Sequence, residues 1–180
     1  MSEHTIASLC QRSRDISLEK GWLNPDGTDP RPRHTVYLLF LSELLEAFEE
    51  VRNNKGLDQV WYEATEQDTG KLLRCTAEQL NSKNGWKPCG IPIELADTVI
   101  RVCQFCGSNG TTAQLVKSVE MNTGRSSKAS LEEDLAQACV EFTYAYKERN
   151  DVFLGMAVGT LFDFCARNGI DLWAAIDEKE

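Results

Sequence analysis

Apolar positions recur along most of this chain at the three-and-four spacing of a helix rather than the alternation of a strand. The strongest run lies between about residues 32 and 53 and reads HTVYLLFLSELLEAFEEVRN after a proline. A proline suits a first helical turn, and Lys55-Gly56 supplies a basic residue and then a stop. Asn24-Pro25-Asp26-Gly27-Thr28-Asp29-Pro30 before it is a loop, and residues 4–20 predict a shorter helix. Residues 57–75 read differently. Gln59-Val60-Trp61-Tyr62-Glu63 and Lys71-Leu72-Leu73-Arg74-Cys75 flank a polar stretch ending Asp68-Thr69-Gly70, which predicts a small β-hairpin. Thr76 with Gln79 predicts a capping box, and Trp86-Lys87-Pro88-Cys89-Gly90 a rigid turn.

Helices then follow over about 92–108, stopped at Asn109-Gly110, and over about 112–122. Residues 122–127 read as a linker. Ser130 with Glu133 caps a helix to about Arg149, and two more fit 151–167 and 171–179. The expected fold is an all-α helical bundle with one β excursion. A faint repeat runs through it: Phe105-Cys106-Gly107-Ser108-Asn109-Gly110 recurs as Phe164-Cys165-Ala166-Arg167-Asn168-Gly169. A long helix precedes each copy, carrying Leu44 to Asn53 and Cys139 to Asn150. This suggests two related three-helix units. Aligned on the hexapeptide, Phe153 and Met156 fall opposite Glu94 and Asp97.

Composition narrows the class. The chain has 180 residues, 42% of them hydrophobic, with a formal charge of −9. That apolar share argues against disorder, and the acidic surplus argues against a nucleic-acid polymer as partner. No run of about 18 apolar residues predicts a membrane span. The start of the chain lacks the pattern of a signal peptide, and seven scattered cysteines suit reduced thiols. A cytoplasmic protein is the expectation. Cys103 and Cys106 form a C-x-x-C with no second pair to complete a zinc site, so they read as core thiols.

The direction of the acids carries the chemistry. At about 100° per residue, Glu46 falls about 60° from Glu43 and Glu50 about 20° from it. Val36, Leu39, Phe40 and Ala47 point the same way, so these acids lie along an apolar stripe. Glu94 and Asp97 share a face in the next long helix, along with Ile91, Thr98 and Phe105. A buried carboxylate must be protonated, paired or bound to a metal. Two acid pairs on facing helices offer four oxygen ligands, which suits a hard cation such as Mg²⁺. The alternative is plain pairing, since Arg101 follows Asp97 by one helical turn. A di-iron bundle would need E-x-x-H, and neither His4 nor His34 has that spacing.

The strings Ser42-Glu43-Leu44-Leu45-Glu46-Ala47-Phe48-Glu49-Glu50 and Lys87-Pro88-Cys89-Gly90-Ile91-Pro92-Ile93-Glu94-Leu95-Ala96-Asp97 resemble the MazG-like branch of the all-α nucleoside triphosphate pyrophosphatases. Glu19-Lys20-Gly21-Trp22 and Gly169-Ile170-Asp171-Leu172-Trp173-Ala174-Ala175-Ile176 are similar to it too. The resemblance covers about residues 15–110 firmly and the rest in patches. It implies a Mg²⁺-dependent hydrolase, Mn²⁺ being an alternative metal, that cleaves a (deoxy)nucleoside triphosphate to the monophosphate and pyrophosphate. Glu43, Glu46, Glu94 and Asp97 would be the catalytic metal ligands. Lys117, Asn122 and Arg125 resemble the family's K…N-x-x-R tail and would face the phosphates. Trp22 or Trp61 could stack on a base. Ser42 and Cys89 depart from the pattern, standing where acids are common.

On this reading residues 1–125 form the catalytic unit and 126–180 a degenerate second repeat that has lost its ligands. The chain would act as a homodimer or as a pseudo-dimer by itself. The rival class is a non-catalytic helical interaction or regulatory protein that keeps the fold.

Overall fold

The computed structural model describes residues 4–80, 82–124 and 129–180. Seven α-helices are present among them: α1 (Ile6–Glu19), α2 (Arg33–Arg52), α3 (Ile91–Asn109), α4 (Thr112–Asn122), α5 (Leu131–Glu148), α6 (Val152–Arg167) and α7 (Leu172–Lys179). Their ends follow local chemistry. Thr5 and Ser8 cap α1, Ser130 and Glu133 cap α5, and Gly110 closes α3 in the left-handed conformation.

The β excursion is larger than a hairpin. Strands β1 (Trp61–Thr65), β2 (Leu72–Cys75) and β3 (Lys87–Cys89) form an antiparallel sheet in the order β2-β1-β3. The segment that reads as a rigid turn is therefore an edge strand, with Trp61 paired to Cys89 and Glu63 to Lys87. Pro88 has no N–H to donate, which an edge strand tolerates. The fold is mostly helical rather than all-α.

Helix α3 lies at the centre of the first set, covered by α1, α2 and α7. Helix α6 is covered by α4 and α5, and the two sets meet where α2 runs against α5. Aromatic rings fill that junction: Phe40 lies 5.4 Å from Phe142 and Tyr37 5.6 Å from Tyr146, centroid to centroid. Arg33 pins the start of α2 to buried Asp151 at 2.7 Å. The division between residues 125 and 126 falls outside the described residues. All seven cysteines are free thiols, and Cys10, Cys103 and Cys106 are buried together in the α1–α3 core. No helix among the described residues is long and apolar enough to cross a membrane.

Candidate metal centre

Burial separates the acids that face the core from those that do not. Glu43 and Glu94 are 5% and 4% exposed, whereas Glu46 is exposed. Carboxylate oxygens of Glu43, Glu46 and Glu94 all come within 4.8 Å of one another, an arrangement that could hold a metal ion. Two helices create it. Glu43 and Glu46 are one turn apart on α2, and Glu94 lies in the first turn of α3.

Gly90 places that first turn. It holds φ at +122°, and a Cβ there would sit 2.2 Å from the Gln59 carbonyl oxygen. A side chain at this position would drive the start of α3, and Glu94 with it, away from the sheet.

Electrostatics set the cluster apart. Burial pushes the Glu94 carboxyl up to about 7, with Glu46 and Asp97 adding to the rise while Lys179 and Lys87 oppose it. Glu94 Oε2 is buried and has no hydrogen-bond partner. Burial likewise raises Glu43, Asp97 and Glu46 reinforce the effect, and Arg101 and Lys179 offset part of it. Burial pulls the Lys87 ammonium down, but Glu94, Cys89, Glu46 and Asp97 outweigh it and the net shift is upward. Glu50 continues the acid row along α2, and burial raises it too.

Asp97 stands beside the three-acid group rather than within it. Its Oδ2 meets Lys179 Nζ at 2.9 Å, while Arg101 Nε is 3.9 Å away. Arg101 turns instead to Glu43, at 2.7 Å. The expected pairing within one turn of α3 is thus present at its longest reach, and the shorter contact of Arg101 bridges α2 and α3. Lys179 has no counterpart in the sequence expectations, because nothing local links the end of α7 to α3.

A cavity of about 240 Å³ opens next to the cluster, bordered by Asp97, Arg101, Lys179, Lys20, Arg31 and Trp22. Apolar walls come from Ile16 and Ile100. Buried Ser13, whose Oγ has no hydrogen-bond partner, also lines it. Of the two tryptophans considered for stacking, Trp22 is 56% exposed and borders this cavity, while Trp61 is buried and donates to Glu63. Ser42 donates to the Leu39 carbonyl within its own helix. Cys89 is buried with its thiol pushed up to about 11 by burial, so it contributes no charge near neutral pH.

Of the expected phosphate-facing trio, the two described members do not border this cavity. Lys117 is exposed on α4, and Asn122 donates to Ser118 and lines a different cavity, of about 220 Å³. Arg125 lies outside the described residues.

That second cavity contains a pattern the sequence reading missed. On α2 and α3 the site runs Glu43, Glu46, Glu50 and Glu94, Asp97, Arg101. On α5 and α6 the same spacings give Asp134, Gln137, Glu141 and Thr160, Asp163, Arg167, and all six line the second cavity. Arg167 binds Asp134 as Arg101 binds Glu43. Alignment on the hexapeptide instead puts Phe153 and Met156 opposite Glu94 and Asp97. Phe153 stacks near Tyr144, and Met156 borders the cavity. The hexapeptide marks helix ends, and the site rows lie at different distances from those ends: Arg167 immediately precedes Asn168, while Arg101 is two turns before Asn109.

Neither family models, curated proteins nor solved structures give a match to this chain.

Proposed function

We propose that the protein is a Mg²⁺-dependent nucleoside triphosphate pyrophosphohydrolase. The observation that carries this reading is the Glu43–Glu46–Glu94 group with Asp97 beside it, Asp97 also bordering a cavity rich in basic side chains. Resemblance of the same acid-bearing strings to the MazG-like pyrophosphatases supports it.

The donor set fits a hard cation. It is all carboxylate oxygen, and Glu94 Oε2 is buried with no hydrogen bond to satisfy it. Glu43, Glu46, Glu94 and Asp97 would hold the metal. Bound there, Mg²⁺ would polarise a phosphoryl oxygen and lower the pKa of a coordinated water.

The chain's own residues account for the rest. Four carboxylates repel a triphosphate, so its charge needs compensation on the cavity side. Arg101 and Lys179 stand at that boundary, with Lys20 further along it. Trp22 offers an exposed ring face, Ile16 and Ile100 give apolar walls, and the Ser13 hydroxyl offers an unspent hydrogen bond to a base. Gln104 completes the wall, its Oε1 accepting from Arg31 at 3.5 Å.

The test is incubation of the purified protein with a panel of ribo- and deoxyribonucleoside triphosphates and Mg²⁺, with assay of monophosphate and pyrophosphate. Release of both in equal amounts is expected, and no turnover with any nucleotide would sink the enzyme reading. A second reading, a non-catalytic interaction or regulatory protein, is favoured by the Arg101–Glu43 and Lys179–Asp97 pairs, which neutralise two acids without a metal. It expects a folded protein that leaves every nucleotide intact.

A further inference from the structure

Lys179 reaches the metal-centre acids from the opposite end of the chain. Helix α7 is anchored by buried Leu172, Ala175 and Ile176 and packs on α3. Lys179 is one turn beyond Ile176, so the anchored face carries it toward α3. Its Nζ sits 2.9 Å from Asp97 Oδ2, and both side chains are only 15% exposed. Neighbouring residues tether this last turn. Asp177 binds His4 at 2.8 Å, Glu178 accepts from the Tyr62 hydroxyl at 2.9 Å and pairs with Lys83, and Glu180 binds Arg12 at 2.7 Å.

Two features say that this lysine does more than close a surface pair. It borders the cavity as well as Asp97. Its charge also acts on Glu43 and Glu94, the two buried acids of the cluster. The cluster retains an unpartnered buried oxygen, Glu94 Oε2, open to a metal ion. A divalent ion taking Asp97 would remove the lysine's partner and repel its ammonium. The lysine stem is flexible and its charge compact, so it can turn toward whatever anion enters the cavity.

We propose that Lys179 is a substrate-phosphate ligand, held on Asp97 while the acid cluster is empty and transferred to the triphosphate when metal and substrate enter. The assignment rests on reading the acid cluster as a Mg²⁺ site. It makes α7 part of the working site and explains why the last turn is tied to α1, the sheet and α3 together.

The experiment uses calorimetry on the full chain, first with Mg²⁺ alone and then with inorganic tripolyphosphate in Mg²⁺, a probe that needs no knowledge of the base. Lys179→Met should bind Mg²⁺ as tightly as the native protein or several-fold more tightly, because a competing cation is gone. It should bind Mg²⁺-tripolyphosphate about tenfold more weakly, the size expected for one charge-assisted contact. Lys179→Arg should recover most of that affinity and guards against a fold defect in the methionine variant. Unchanged tripolyphosphate affinity in Lys179→Met, or loss of Mg²⁺ binding together with it, would overturn the proposal and leave Lys179 a structural residue. Absence of Mg²⁺ binding in the native protein would overturn the metal reading itself, and the role of Lys179 with it.

Discussion

Helices α2 and α3 and helices α5 and α6 carry polar side chains at the same spacing, but with different charge. In the first pair, buried Glu43 is met by Arg101, which follows Asp97 by one turn. In the second, buried Asp134 is met by Arg167, which follows Asp163 by one turn. Burial raises both Glu43 and Asp134, and the arginine opposes the rise in each. The difference lies one turn away. Glu46 and Glu94 in the first pair correspond to Gln137 and Thr160 in the second. Gln137 donates to Glu141, and Thr160 donates back to the Met156 carbonyl, so each neutral replacement is satisfied within its own helix. One scaffold thus supports a cluster dense in carboxylates and a cluster with fewer acids to neutralise. Acid density, not helix geometry, separates them.

The sharpest way to break this comparison is catalytic. On the proposed function, Glu43→Gln and Asp97→Asn should lower pyrophosphate release by at least about a hundredfold, since each would remove a ligand charge from the proposed metal site. Asp163→Asn should leave it within about twofold. Equal losses at both sites, in proteins with unchanged circular dichroism, would place the chemistry in both cavities or in neither.

Stability gives the next contrast. Arg167→Met strands the buried Asp134 carboxylate and should cost about 3–5 kcal/mol in denaturant unfolding. Arg101→Met strands Glu43 in the same way, but there added Mg²⁺ should recover most of the loss. A loss at Arg101 that ignores Mg²⁺ would count against metal binding at Glu43.

Dependence on pH should differ in the same direction. Glu94 carries a folded pKa near 7, above its ordinary value of 4.5, so the folded state holds its proton more tightly than the unfolded chain. Stability of the metal-free protein therefore falls as pH rises from about 4.5 to 7 and levels off above that. Thermal melts should show this slope, and Glu94→Gln should flatten much of it. The upward shifts of Glu43 and Asp134 leave a remainder. Saturating Mg²⁺ should reverse the sign across the same window, because the ion requires the ionised carboxylate.

The smallest effect tests whether acid density is sufficient. Gln137→Glu with Thr160→Glu restores the full acid row to the second cavity. The double variant should melt lower without metal and gain an extra rise of a few degrees with Mg²⁺ over that of the native protein. No extra Mg²⁺ response would show that something besides charge separates the two cavities.

Much of this was visible in the residues themselves. The capping pairs Thr76–Gln79 and Ser130–Glu133 form as their spacing requires, because a cap is completed within four residues. Angular position singled out Glu43, Glu46, Glu94 and Asp97, and the first three converge in space. Helical phase could not say that Glu46 would be exposed while Glu43 is buried, since α2 is apolar nearly all round and only its neighbours decide which side is covered. Lys87-Pro88-Cys89 is too short to alternate, so its sequence reads as a turn, and it becomes a strand only by pairing with β1.

The chain's local order determines the helices, their ends and the facing of the acids, because each depends on neighbours within one or two turns. Tertiary structure alone decides which cation answers each acid. Arg101 lies closer to Glu43 than to Asp97, and Asp97 takes Lys179 from the far end of the chain. Charge acts through space and not along the sequence, so the partners of a buried carboxylate emerge only when distant helices meet.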